Sequence, residues 1–142
     1  MNDIRLNVRL ILLFVIIFIL GKFVLRPYVL ANDYPEFVNI FVLSLPNLCE
    51  AVAGVLMLTN LSLMINYHWL KNKIGLTYIY LLVTLFAALY VILQEMKIHN
   101  IGSVNIYDPY DVVYSVIGLI LSLVYLLVKK PGYNPNFIIH NS

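Results

Sequence analysis

The sequence predicts an all-α integral membrane protein, a bundle of four transmembrane helices, and two observations carry this prediction. Of its 142 residues, 62% are hydrophobic and only 11% are charged, and the mean hydropathy is +0.90. A soluble domain carries about 25% charged residues, so this chain cannot cover itself with a surface compatible with water. Its apolar residues also fall into four runs, each close to the ~20 residues with which a helix crosses ~30 Å of hydrocarbon.

The four runs predict helices at about residues 7–29, 46–66, 75–96 and 110–129, within a single transmembrane domain, residues 1–130. A helix pairs its own backbone N–H and C=O groups, which hydrocarbon cannot do, so four spanning helices are the simplest arrangement. The remaining residues, 131–142, hold two prolines and show no apolar periodicity. We expect them to form a cytoplasmic tail.

The first run has an alternative interpretation as a signal peptide. Arg5 and Arg9 precede it, and "VLA" at residues 29–31 resembles a cleavage site. However, Lys22 and Arg26 lie between the apolar run and that site, which makes the interval long and charged for signal-peptide processing. A retained first transmembrane helix is therefore the favoured interpretation.

The segment "PEFVNIFVLSL", residues 35–45, precedes the second run. A single helix through both would measure ~45 Å, which is more than the hydrocarbon requires. Pro46 lacks an amide hydrogen, and it disfavours a helical conformation in the residue before it. We therefore expect residues 35–45 to form a short helix at the outer membrane interface, separate from the second transmembrane helix.

The basic residues predict the orientation of the bundle. In a four-span arrangement one side of the membrane receives six of them, Arg5, Arg9, Lys71, Lys73, Lys129 and Lys130. Loops on the cytoplasmic side of a membrane carry an excess of Lys and Arg. Both termini are therefore predicted to be cytoplasmic.

With this orientation, polar residues of all four helices converge at the outer end of the bundle. They are Lys22 and Arg26 of the first helix, Asn47 and Glu50 of the second, Gln94 and Glu95 of the third, and Asp108 and Asp111 of the fourth. We interpret this set as an outward-facing acidic pocket. Its acids would bind a cationic or hydrogen-bonding group, and the two basic residues would balance their charge.

Most of these residues also have a purely local interpretation. Asp108 precedes a proline, as helix N-caps often do, and Asp111 in the first turn suits the helix dipole. Glu95 could be solvated at the interface, and Lys22 could extend towards it. Glu50 is the exception, because an acid inside a membrane costs about 2.5–3.5 kcal/mol on insertion scales and is usually paired or functional.

Several classes of function find no support in the sequence. A net charge of +2 with scattered basic residues does not indicate a nucleic-acid partner. The histidines at positions 68, 99 and 140 lie far apart, so no metal site is predicted. No glycine-rich phosphate loop, Ser-His-Asp set or CxxC pair occurs, so we predict no cofactor and no catalytic residue. Enzymatic activity is left open but not favoured.

The stretch "YVILQEMKIHNIGSVNIYDPYDVVYSVIGLILS" resembles the C-terminal half of VanZ-like membrane proteins. The resemblance rests on Gln94 and Glu95 at the end of one helix, on Asp108 and Asp111 as a D-x-x-D entry into the next, and on a downstream Gly118. The first half of the chain agrees only in having two spans. Where the family usually carries Arg, Asn and Glu, this chain has "SVN" at residues 103–105, Ser115 and Tyr90.

The resemblance implies a multi-pass protein of the bacterial inner (cytoplasmic) membrane that acts in cell-envelope maintenance or in tolerance of glycopeptide antibiotics. Its implied partners are membrane lipids and a cell-envelope small molecule or glycopeptide, which the acidic pocket would bind.

Two other functions stay open. The chain could be a small accessory or scaffold subunit of a larger membrane complex. Its small-residue helix faces would dock onto the partner. Separately, the small residues of "AVAG", residues 51–54, allow another helix to approach closely, and packing is their predicted role. The least favoured alternative is an enzyme that acts on a lipid or peptide headgroup with a carboxylate as general base, because no nucleophile–base pair is recognisable.

Overall fold

The computed structural model describes residues 2–95 and 109–132, and the side chains of residues 6–91, 93, 94 and 109–132. Of the described residues, 87% are helical and none lies in a strand, which confirms the all-α prediction. The elements are α1 (Asn2–Leu20), a π-helical segment (Gly21–Leu25), α2 (Arg26–Leu30), α3 (Glu36–His68), α4 (Leu76–Glu95) and α5 (Pro109–Lys129).

Three helical stretches are long and apolar enough to cross a membrane. They are Leu6–Leu30, Glu36–His68 and Pro109–Lys129, with hydropathies of 2.7, 1.8 and 2.3. α4 contributes a shorter apolar stretch, Leu76–Val91. A helical membrane protein is thereby supported, while the fourth crossing and the cytoplasmic position of the termini stay predictions.

α1, the π-helical segment and α2 form one continuous rod, residues 2–30, which changes its winding in its last third. The N–H of Arg26 donates to the C=O of Gly21, five residues earlier, which is the hydrogen bond of a π-helix. Pro27 follows directly, and in a regular α-helix its ring would clash with the carbonyl of Phe23. The wider π turn just before Pro27 accounts for the continuation of the rod through α2.

α3 corrects one prediction. Residues 35–45 do not form a separate interfacial helix, because α3 runs through Pro46 without a break for 33 residues, or ~50 Å. α3 packs against the π-helical segment and α2, and a Cβ on the buried Gly21 would lie 3.6 Å from the Pro46 ring. Packing of this kind lets membrane helices tolerate the hydrogen bond that a proline removes.

α3 is the central helix of the fold, since it packs against α1, α4 and α5. The buried apolar core is formed by Ala51, Val52, Val55, Leu56 and Leu63 of α3, Ile79, Tyr80, Val83 and Ala87 of α4, and Leu119 and Leu126 of α5. In the most apolar 18-residue stretch of α3, 44% of the residues are buried, whereas in that of the first rod only 6% are buried. The first rod therefore lies at the periphery, with most of its surface available to lipid.

The contact between α3 and α5 depends on Gly118. A Cβ at this position would lie 2.7 Å from the backbone oxygen of Leu48 and 3.0 Å from the Cβ of Ala51. The missing side chain thus lets the two backbones approach closely, as small residues do between membrane helices. The glycine that forms part of the VanZ-like resemblance has a packing role here.

A buried polar chain joins α1, α3 and α5. The Nδ2 of Asn7 donates to the Oδ1 of Asn60 over 2.9 Å, and the Tyr125 hydroxyl donates to the Oδ1 of Asn7 over 2.8 Å. Asn7 has no exposed surface. Lipid cannot form hydrogen bonds with these polar atoms. The two hydrogen bonds therefore hold the peripheral α1 on the rest of the bundle.

Side-chain hydrogen bonds also fix the loop between α3 and α4 and the residues that follow α5, which lie at one end of the bundle. Asn66 of α3 binds both the C=O and the N–H of Ile74, at 3.0 and 3.2 Å, and so closes the loop between α3 and α4. The Tyr80 hydroxyl donates to the C=O of the buried Pro131 over 2.7 Å. The start of the predicted tail is therefore docked, and residues 133–142 lie outside the described residues.

Candidate functional site

A cleft of about 280 Å³ lies between α3, α4 and α5. Its lining consists of Asn47, Glu50, Ala51, Gly54 and Leu58 of α3, Ala87, Tyr90, Val91 and Gln94 of α4, and Ser115 of α5. On α3 and on α4 these positions recur every three or four residues, which places them on one face of each helix. The helical periodicity of both sequences thus builds the two walls.

The cleft is polar at one end and apolar at the other. α4 returns antiparallel to α3 through the short loop at residues 69–75, so the last turns of α4 lie beside the part of α3 that holds Asn47 and Glu50. We call these two residues and Gln94 the polar end. Gly54, Leu58 and Ala87 form the apolar end, and from Asn47 to Leu58 the cleft extends about 16 Å along α3, at 1.5 Å per residue.

The structure brings three of the eight predicted site residues together, since Asn47, Glu50 and Gln94 all line the cleft. Asp111 is half-buried in the first turn of α5, one turn before the cleft residue Ser115, but it is not part of the lining. The side chain of Glu95, together with Asp108, lies outside the described residues.

Lys22 and Arg26 do not belong to the cleft. Both side chains are exposed, and the segments that carry them pack against α3. The ammonium group of Lys22 lies 5.3 Å from the centre of the Phe18 ring, a contact within its own helical rod. Lys22 and Arg26 were predicted to balance the charge of the acids in the pocket. The lining of the cleft gives this role no support, because it contains no basic residue.

Sequence reasoning missed the apolar end of the cleft. The "AVAG" stretch was interpreted as a packing surface, and Ala51 does pack near Gly118. At Gly54, however, a Cβ would meet nothing within 4 Å, so this glycine leaves space instead of closing it. Tyr90, noted in the sequence only as a departure from the family pattern, also lines the cleft.

The chemistry of the lining is that of a binding site for an amphipathic molecule. The Glu50 carboxylate, two side-chain amides and the Tyr90 phenol can make hydrogen bonds, while most of the remaining lining is hydrocarbon. Among the residues that the structure describes, no three His, Cys, Asp or Glu side chains are grouped to hold a metal ion.

The comparisons with known proteins add no relative, since no protein-family model, no curated protein and no solved structure matches the chain. The VanZ-like resemblance therefore depends on the quoted residues alone. Of these, Gln94 lines the cleft and Gly118 supports the helix packing beside it.

Proposed function

We propose that this protein is a VanZ-like, multi-pass protein of the bacterial cytoplasmic membrane that binds a cell-envelope component in the cleft between α3, α4 and α5. The binding serves envelope maintenance or tolerance of glycopeptide antibiotics. The observation that carries the proposal is the position of Glu50, which lies with Asn47 and Gln94 at the polar end of an otherwise apolar cleft.

Glu50 supports a binding role on energetic grounds. Its side chain is exposed along the cleft of the apolar helix α3, and an acid in the hydrocarbon costs up to about 2.5–3.5 kcal/mol on insertion scales, the value at the centre of a membrane helix. A side chain that served only the fold could be apolar at no such cost. A ligand with a cationic or hydrogen-bonding group would offset the cost when it binds, and two neighbouring amides would orient it.

The direction in which the cleft opens depends on the predicted topology. With both termini in the cytoplasm, the polar end of the cleft belongs to the outer half of the bundle, where an envelope component arrives. The basic residues of the loop between α3 and α4, Lys71 and Lys73, favour this orientation.

A comparison of two matched variants tests the proposal. Glu50→Gln removes the carboxylate of the cleft but keeps the size of the side chain. Glu36→Gln removes an exposed acid from the first turn of the same helix. In a glycopeptide-susceptible bacterium that expresses the protein, we expect Glu50→Gln to abolish the gain in teicoplanin tolerance and Glu36→Gln to keep it, at equal membrane abundance. Full tolerance with Glu50→Gln would contradict the proposal.

The alternative of an accessory subunit receives less support. It depends on small-residue helix faces that dock onto a partner, and in one small-residue stretch, "AVAG", Ala51, Val52 and Ala53 are buried within this chain and Gly54 lines the cleft. These small residues are therefore already used inside the bundle and are not presented to a partner.

A further inference from the structure

We infer that the occupant of the cleft is a membrane phospholipid with a primary-amine headgroup. One acyl chain lies along the apolar end of the cleft, and the ammonium group lies against Glu50. This inference rests on the proposed function, in that it uses the same cleft as the binding site, but it concerns the class of ligand.

The shape of the cleft matches one hydrocarbon chain. From Glu50, where the ammonium group lies, to Leu58 the lined face of α3 measures about 12 Å, most of the ~15 Å that one leaflet contributes to a ~30 Å hydrocarbon core. The walls at the apolar end, Gly54 and Ala87, carry small side chains or none. Since a Cβ on Gly54 would meet nothing within 4 Å, there is room beside the α3 backbone for a slender apolar group.

The position of Glu50 along α3 matches the depth of a headgroup. Trp69, which is 84% exposed, and the exposed Tyr67 lie at the far end of α3, and such aromatic residues are enriched at membrane–water interfaces. The ~20 residues that cross the hydrocarbon, counted back from this end, reach the region of Asn47. Glu50 then lies just inside the opposite boundary, within reach of a headgroup amine.

The charge of the lining selects among headgroups. The Glu50 carboxylate, the side-chain oxygens of Asn47 and Gln94 and the Tyr90 hydroxyl can all accept hydrogen bonds, and a primary ammonium offers three donors. A choline group has no N–H to donate, and a glycerol headgroup brings no positive charge to balance the acid. The lining contains no basic residue that would favour a purely anionic headgroup. Phosphatidylethanolamine is therefore the class of lipid that fits.

The test uses the full chain in nanodiscs of phosphatidylcholine that contain a small fraction of a lipid with a photoreactive diazirine in its acyl chain. The lipid is offered with an ethanolamine or with a glycerol headgroup, and the cross-linked residues are mapped by mass spectrometry. We expect cross-links at the apolar end of the cleft, around Gly54 and Ala87, to be stronger with the ethanolamine lipid. Glu50→Gln should remove this headgroup preference, and Glu36→Gln should keep it.

A second variant fills the space in the cleft that is proposed for the acyl chain of the lipid. Gly54→Leu adds a side chain where the structure leaves room, so the fold should be kept while the cleft cross-links disappear. Met57→Leu alters an exposed residue of the same helix and should leave them unchanged. The inference is overturned if the cleft residues are labelled no more than Leu85 and Phe86, which are exposed on α4, or if both headgroups label them equally.

The two proposals can fail separately. If Glu50→Gln abolishes tolerance while the cleft shows no lipid cross-links, the lipid inference fails and the proposed function stands with another ligand. If the cross-links and their headgroup preference appear while Glu50→Gln keeps full tolerance, the lipid site stands and the proposed function fails.

Discussion

At the scale of single residues, five of the described polar side chains within the bundle show two kinds of role. Asn7, Asn60 and Asn66 use their amides to hold segments together, whereas Asn47 and Glu50 line a cleft. The same residue type thus stabilises the fold at one end and offers binding groups at the other. The partner of each amide, which only the structure shows, decides between the two roles.

The stabilising role can be tested with Tyr125→Phe, which removes only the hydroxyl that donates to Asn7. Since Asn7 is fully buried, its Oδ1 would lose a partner that lipid cannot replace. We expect a loss of about 1 kcal/mol, between the average value for interhelical hydrogen bonds in membranes and the cost of an unsatisfied buried group in soluble proteins. Thermal unfolding in detergent measures it.

Tyr78→Phe is the matched control, because this tyrosine is 71% exposed on α4. Its unfolding temperature should equal that of the wild type. An equal unfolding temperature for Tyr125→Phe as well would show that the hydrogen bond to Asn7 does not hold α1 in place.

The site residues that the sequence predicted share a visible signal. Asn47, Glu50 and Gln94 are polar residues in apolar helices, and the cost of placing them there singles them out. Gly54 and Ala87 carry no such signal. In a sequence, a small apolar residue that allows two helices to pack closely cannot be distinguished from one that leaves a cavity. Only the positions of the neighbouring helices distinguish the two.

At the scale of the elements, hydropathy was sufficient to locate the apolar helices. It was not sufficient to predict whether residues 35–45 form a helix of their own or belong to the next one. The predicted start at residue 75 and the predicted end at residue 129 agree with α4 (Leu76–Glu95) and α5 (Pro109–Lys129) to within one residue, and the other two predicted ends lie at the edge of the described residues. The predicted boundary at Pro46 was wrong because it weighed the missing N–H and the length of the helix alone. The contact of Pro46 with the buried Gly21, more than twenty residues away in the chain, is a tertiary effect that no local pattern reports.

The close approach of α5 to α3 gives a prediction at the same scale. In Gly118→Ala, the new Cβ would lie 2.7 Å from the backbone oxygen of Leu48, and backbone cannot move aside as a flexible side chain can. We expect a loss of about 1–3 kcal/mol, the usual cost of overpacking, seen as a lower unfolding temperature in detergent.

Gly54→Ala provides the opposite case on the partner helix. Its Cβ would meet nothing within 4 Å, and alanine favours a helix over glycine by about 1 kcal/mol. Its stability should be unchanged or higher. If the two substitutions had the same effect, the close contact at Gly118 would not determine the packing of α5.

At the scale of the whole molecule, the prediction concerns the side of the membrane on which each loop lies. Asn32 and Asn72 are exposed in the loops that precede and follow α3, ~50 Å apart along that helix. In a Cys49→Ser background, which removes the single native thiol, a cysteine at position 32 should react with an impermeant thiol reagent in intact cells. A cysteine at position 72 should react only after lysis. The reverse pattern would mean that the bundle is inverted.

The buried bonds of Asn7 have a consequence for biosynthesis. The ribosome makes α1 first and α5 last, so Asn60 is synthesised before Tyr125. The Nδ2 of Asn7 donates to Asn60, and its Oδ1 accepts from Tyr125. Because the two bonds use different atoms, the bond to Asn60 does not require the bond to Tyr125. One amide of α1 thus has a separate atom for each of two later helices, in the order of their synthesis.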